Sequence, residues 1–344
     1  MTLVIGRPPA TRQRLAAVFA ALIVVLGIGD TVFADPAGPT DYRSEIVSIE
    51  PPTPSIAVEI LGGDSFVELT AAPGTEVVLD GYDAEPYLWF QTDGTVLENR
   101  ASRTAYLNES RYGSDVPPDV SADAEPDWVE VGDAGRYAWH DHRAHWMQPI
   151  RPAGKSPGDQ IVEAVIPMVV DGGDVLVTVS STWLAEPSPV PLGLGVLAGL
   201  TIAAIGIGVG VVGRRAGWRF AVVPLAVLTL VVGWLQFRSL PSETGPRLVW
   251  WALPALATAA ASVAVWFTRR DRFVASAATL IAGSQLAIWG WIKRDGLTAA
   301  IVPTDAPGWL DRATTVAGLV GGAAVAAIAL WELFAGSREL PASG

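Results

Sequence analysis

Five apolar stretches fill the second half of the chain: Leu192–Val212, Trp218–Phe237, Leu248–Phe267, Phe273–Ile292 and Thr314–Phe334. Each is close to the ~20 residues a helix needs to cross the hydrocarbon of a bilayer. A chain with five such segments has to satisfy its backbone hydrogen bonds inside helices that face lipid. A C-terminal bundle of five transmembrane helices is therefore the first expectation. Composition agrees. Of 344 residues, 50% are apolar, only 17% are charged, and the mean hydropathy is +0.36. Soluble chains carry about a quarter charged residues.

The net charge of −12 hides a division. Between Asp35 and Pro187 there are 27 acidic and 8 basic residues, whereas from Ser188 onward there are 7 and 12. An acidic, water-facing domain (35–187) joined to a slightly basic membrane domain (192–335) fits this pattern. The Pro-rich stretch 186–191 is a stiff connector, its last four residues (188–191) forming the linker proper. Residues 336–344 are then a cytoplasmic tail. Such an acid balance makes nucleic acid an unsuitable partner. The absence of cysteine excludes disulfides, thiolate zinc sites, iron–sulfur clusters and blue copper centres.

At the N-terminus, Arg7, Arg12 and Arg14 precede an apolar run ending in Val32-Phe33-Ala34. That order is a secretory signal covering residues 1–34, cleaved before Asp35 or retained as an anchor. Either way the acidic domain is exported, and the chain is a multi-pass plasma-membrane protein with that domain outside the cytoplasm. The loops holding Arg214, Arg215 and Arg219, and Arg269, Arg270 and Arg272, then lie inside, following the positive-inside rule. Glycine pairs four apart, Gly195/Gly199, Gly206/Gly210 and Gly318/Gly322, predict closely packed helices. No ionisable residue falls mid-span, which speaks against an ion-coupled transporter. The loop from Lys293 to Arg312 is read as a simple connection, although it is long enough to reach the exported domain.

Residues 35–187 carry strand patterning. Ala57–Leu61 and Ser65–Leu69 nearly alternate, Asp93-Gly94 marks a hairpin, and Asp171-Gly172-Gly173 closes another between Ile161–Val170 and Asp174–Val179. Residues 100–130 read as a long polar loop. The fold class expected is an exported all-β sandwich, cupredoxin- or Ig-like, plus the five-helix membrane bundle.

All three histidines lie within six residues, in Tyr137-Ala-Trp-His140-Asp-His142-Arg-Ala-His145-Trp-Met147. Histidine-dense tracts point to metal. On a strand, His140 and His142 would share a face about 6.6 Å apart. A turn after His142 would bring His145 or Met147 in as a further ligand. Imidazoles with an optional thioether suit copper, with zinc the lesser fit. Asp141, on the opposite face, would orient Arg143 or a neighbouring strand. The competing readings are a buried polar network closing the sandwich and a partner-binding surface.

The stretch Gly135-x-Tyr137-x-Trp139-His140-x-His142 resembles the histidine-pair strand of cupredoxin-like domains and multicopper oxidases, and that resemblance implies copper on His140 and His142. A single such pair and no cysteine leave oxidase and electron-transfer chemistry behind. The whole layout also resembles uncharacterised bacterial envelope proteins with an exported β-domain and C-terminal membrane helices. It is similar to fused copper-resistance proteins too, but lacks their membrane histidines and methionines. The expectation is a non-enzymatic, membrane-anchored protein for copper capture, buffering or hand-over. The alternative is a metal-free scaffold whose β-domain docks another envelope protein.

Overall fold

A computed structural model describes residues 37–118, 120–211 and 217–336. The expected signal segment 1–34 and the tail beyond Gly336 lie outside the described residues. Ten strands are followed by five long helices. The strands are β1 Tyr42–Glu50, β2 Ile56–Leu61, β3 Phe66–Ala71, β4 Val77–Asp80, β5 Pro86–Phe90, β6 Val96–Asn99, β7 Trp128–Gly132, β8 Arg136–Trp139, β9 Gln160–Val170 and β10 Gly173–Trp183. They form an antiparallel seven-stranded sheet in the order β1-β10-β9-β4-β5-β6-β7 and a three-stranded sheet β2-β3-β8.

Period-two patterning explains the two faces. Along β10, Val175, Val177, Val179, Ser181 and Trp183 are buried while the residues between them are more open. A strand alternates its side chains between faces, so this one turns a single apolar row inward. Those valines join Val58, Val67 and Leu69 of the smaller sheet and Leu79, Leu88 and Phe90 of the larger in one core. The two sheets therefore pack as a sandwich. The hairpins fall where the glycine signals place them. Asp171 and Gly172 both have positive φ, 48° and 81°, between β9 and β10, as a two-residue loop matching the strand twist requires. The stretch 100–130, expected as a loop, holds a short helix, α1 Arg103–Leu107, capped by Ser102, and its last residues, from Trp128, enter β7.

The long helices are α2 Val190–Val211, α3 Val222–Arg238, α4 Val249–Phe267, α5 Arg272–Ile292 and α6 Gly308–Gly336. A short 3-10 turn, Gly217–Ala221, leads into α3. All five segments are long and apolar enough to cross a bilayer, and the chain is a multi-pass membrane protein on that ground. Glycine sets the spacing of α5 against α6. A Cβ added to Gly322 would lie 2.6 Å from Ala287 N, and one at Gly283 would lie 2.6 Å from Ala326 N. Only bare backbone fits there, as the Gly318/Gly322 spacing predicts. Gly195 and Gly199 let α2 approach α6 at Ala313 and Gly321 in the same way.

Two ion pairs tie the ends of the membrane helices together. Arg219, read as a charge of an inner loop, is 5% exposed and pairs with Glu332 of α6. Ser276 and Thr279 of α5 also hydrogen-bond into this group. Burial of the guanidinium is tolerable only because a carboxylate and two hydroxyls satisfy it. At the opposite end of the bundle, Lys293 Nζ meets Asp311 Oδ2 at 2.5 Å, both side chains 3% exposed.

The loop joining α5 to α6 is not a bare connection either. Thr40 N donates to Ile301 O at 3.0 Å and Ile301 N returns a bond to Thr40 O at 2.8 Å. Ala300 N donates to Asp41 Oδ1 at 3.0 Å. The β-domain is thus stitched to the helix ends through backbone groups.

Candidate functional site

β8 stops at Trp139, so the His140–Met147 segment is a loop and not a strand. This corrects the expected placement of His140 and His142 on one strand face. The turn is made by Asp141, whose carbonyl accepts from Ala144 N at 2.8 Å. The Asp141 side chain, 0% exposed, explains why the strand ends here. Its Oδ1 accepts from Arg143 N (3.0 Å) and Nε (2.8 Å), and its Oδ2 accepts from Arg143 Nη2 (2.8 Å) and Trp139 Nε1 (3.0 Å). Burial alone would raise this carboxyl's pKa. The Arg143 guanidinium and these bonds outweigh burial and hold it below the ordinary value. Arg143 also donates to Asp80 O at 3.2 Å and lies 5.0 Å from the Tyr82 ring centroid. The expectation that Asp141 orients Arg143 holds, but within one turn and not across a sheet.

The imidazoles do come together. Ring centroids of His142 and His145 are 5.4 Å apart, and those of His140 and His145 are 6.2 Å apart, both edge-on. Each ring is nevertheless tied to a different neighbour. His140 packs on Phe66 at 4.2 Å. His142 stacks on Tyr82 at 5.8 Å and reaches Ser110 O through Nε2 at 3.1 Å. His145 reaches Arg111 O through Nε2 at 3.0 Å. A carbonyl can only accept, so the proton of both rings sits on Nε2. Burial, reinforced by the Arg111 cation, pushes the His145 pKa down to about 3. Burial also lowers that of His142, against the opposing pull of the Ser110 carbonyl. Both rings are neutral near pH 7. Met147 is half-buried at the end of the loop.

Among the described residues, no three or more His, Asp or Glu side chains are placed to hold a metal ion. Copper therefore finds no support in this geometry. His140, His142, His145 and Met147 lie on one loop, and what binds the loop together is protein: Tyr82, Asp80, Phe66 and the carbonyls of Ser110 and Arg111. Arg111 in turn makes a two-pronged bond to the buried Asp64.

The feature that sequence reasoning missed lies beside this loop. A cavity of about 470 Å³ separates the β-domain from the helix ends. His140, Trp146 and Arg111 line it from the β-domain, and Gln236, Arg247, Trp250 and Lys293 line it from the bundle. Its residues are spread over more than 250 positions, so no local motif could announce it. The one sequence signal was the length of the Lys293–Arg312 loop.

The fold and site together define a multi-pass membrane protein with an antiparallel β-domain docked on its own helix ends. Comparison with protein-family models, characterised proteins and solved structures finds no match to this chain.

Proposed function

We propose that this chain is an envelope binding protein, its β-domain outside the cytoplasm, that holds a small ligand in the cavity between that domain and the membrane helices. The cavity carries the reading. At about 470 Å³ it falls within the range of small-molecule sites, which favour the interfaces between structural units. Its wall is mainly polar and charged, with the rings of Tyr42, Tyr112, Trp146 and Trp250 set among those groups, which suits a polar ligand with an apolar part. The imidazole loop then serves as a wall, with Nε2 of His142 and of His145 bonded to carbonyls and Nδ1 of His145 buried without a partner. Arg269, Arg270 and Arg272 belong to the bundle end away from the β-domain, which under the positive-inside rule supports export of that domain.

Two experiments test this. The chain has no cysteine, so single cysteines at Ala134 and Arg270 can be labelled in intact cells with a membrane-impermeant maleimide. Labelling at Ala134 alone is expected, and labelling at Arg270 alone reverses the orientation. Native mass spectrometry of the gently extracted full chain should show one bound small molecule that is lost in Gly38→Trp. Gly38 lines the cavity, and a Cβ there would meet nothing within 4 Å. A ligand-free spectrum, or one that Gly38→Trp does not change, overturns the reading.

A further inference from the structure

Given the cavity as a binding site, we infer that its ligand carries a phosphate-type anion with a hydroxyl beside it, held between Arg247 and Gln236. Four cationic side chains line the cavity, Arg111, Arg151, Arg247 and Lys293, against two carboxylates, Asp41 and Asp295. Two of these cations, Arg247 and Lys293, come from the slightly basic membrane half, and two, Arg111 and Arg151, from a β-domain in which acids outnumber bases by 27 to 8 between Asp35 and Pro187.

The partners of these cations single out one of them. Arg111 is committed to Asp64, and Lys293 to Asp311. Arg151 pairs with Glu186, but both side chains are more than 60% exposed, so that pair is weak and the guanidinium can re-aim. Arg247, half-buried in the wall, has no carboxylate partner among the described residues. A guanidinium matches phosphate with two parallel N–H donors. The opposing acids are partly engaged: Asp41 accepts from Ala300 N at 3.0 Å, and Asp295 lies 3.7 Å from Arg294.

Gln236 supplies the second half of the argument. It is 3% exposed and lines the cavity, yet its Oε1 is buried without a hydrogen-bond partner. An unsatisfied buried acceptor is costly and calls for a donor. An anion alone offers none, whereas a neighbouring hydroxyl does. Phosphoglycerol has both groups, and it occurs as a free phosphate ester and as a lipid headgroup.

The test uses the full chain in phosphatidylcholine nanodiscs and calorimetric titration with three probes: glycerol 3-phosphate, dihexanoyl phosphatidylglycerol and dihexanoyl phosphatidylcholine. One site for a phosphoglycerol probe is expected, weakened at least tenfold by Arg247→Gln and severalfold by Gln236→Leu. Binding of the lipid form alone assigns a membrane source, and equal binding of the free ester assigns a soluble one. No binding of either, or binding that Arg247→Gln leaves unchanged, overturns the inference. If phosphatidylcholine binds as tightly and Gly38→Trp abolishes it, the preference for a net-anionic, hydroxyl-bearing headgroup is wrong while the cavity remains a binding site. If Gly38→Trp changes the binding of no probe, the cavity reading itself fails.

Discussion

His145 Nε2 lies 3.0 Å from the carbonyl oxygen of Arg111, and the guanidinium of that same arginine grips Asp64. One residue thus holds the histidine loop with its backbone and the 62–65 turn with its side chain. His145 is 1% exposed, so removing the ring leaves a carbonyl without its donor and a void beside two other imidazoles. His145→Ala is expected to cost about 2–4 kcal/mol, as for other buried polar truncations that also open a cavity. Thermal unfolding of the detergent-solubilised chain measures it, and a loss below ~0.5 kcal/mol contradicts the structural role.

The same ring sets a pH dependence. An unfolded imidazole takes up a proton near pH 6.5, whereas native His145 stays neutral down to about 3. Between those values the unfolded state binds more protons, so stability falls as pH drops through that window. The loss is on the order of a few kcal/mol by pH 4, and above about pH 7 the curve is flat on this account. His142, also lowered, adds in the same direction. Asp141, held below its ordinary value, stabilises above the unfolded carboxyl pKa and gives way only at still lower pH. A chain equally stable at pH 7 and pH 4.5 would contradict the burial of His145.

Copper offers a direct contrast between the two readings of the histidine loop. Nε2 of His142 and His145 donates to carbonyls, which leaves Nδ1 of each ring as the atom that could take a metal. No group of three ligating side chains meets among the described residues, however, so dialysis against copper is expected to leave less than one retained equivalent. His140→Ala/His142→Ala should then lower stability without changing metal content. One tightly held copper that disappears in the double variant would restore the metal reading.

Lys293 and Asp311 form a buried pair, so breaking it on one side strands a charge. Asp311→Ala is expected to destabilise by about 3–5 kcal/mol, while Lys293→Met/Asp311→Leu recovers most of that loss. Equal effects of the single and double variants in a thermal-shift series would refute the pairing.

Thr40 and Ile301 exchange both backbone bonds. In such a pair the Cα atoms sit about 5.5 Å apart, a distance a disulfide can span. Thr40→Cys/Ile301→Cys should oxidise spontaneously in this cysteine-free chain and resist separation of β-domain and helices. A reducible mobility shift in gel electrophoresis reports it, and a double variant that stays fully reduced under oxidant counts against the docking.

Much of this architecture was legible in the residues themselves. Long apolar runs allow little besides helices, and the Asp-Gly steps at 93–94 and 171–172 demanded turns because few other residues accept positive φ. The glycines of α2 and α6 showed where backbones would touch. What stayed hidden depended on pairing across long separations. Arg219 looked like a loop charge because nothing near it in sequence points to Glu332. His140 and His142 looked like strand neighbours because the pattern up to Trp139 is a strand. The turn after it is set by Asp141 binding Arg143 and Trp139, a competition between side chain and backbone that periodicity does not register.

The Thr40–Ile301 stitch also imposes an order of assembly. Its two strands of chain are separated by four of the five membrane helices, so the sheets can form as soon as they are synthesised but cannot be seated. Docking waits until the penultimate helix is in the bilayer and its trailing loop has returned to the β-domain side. Until then the half-finished protein lacks the cavity between β-domain and helix ends, and a truncation just before residue 300 should yield a folded sandwich on a slack tether.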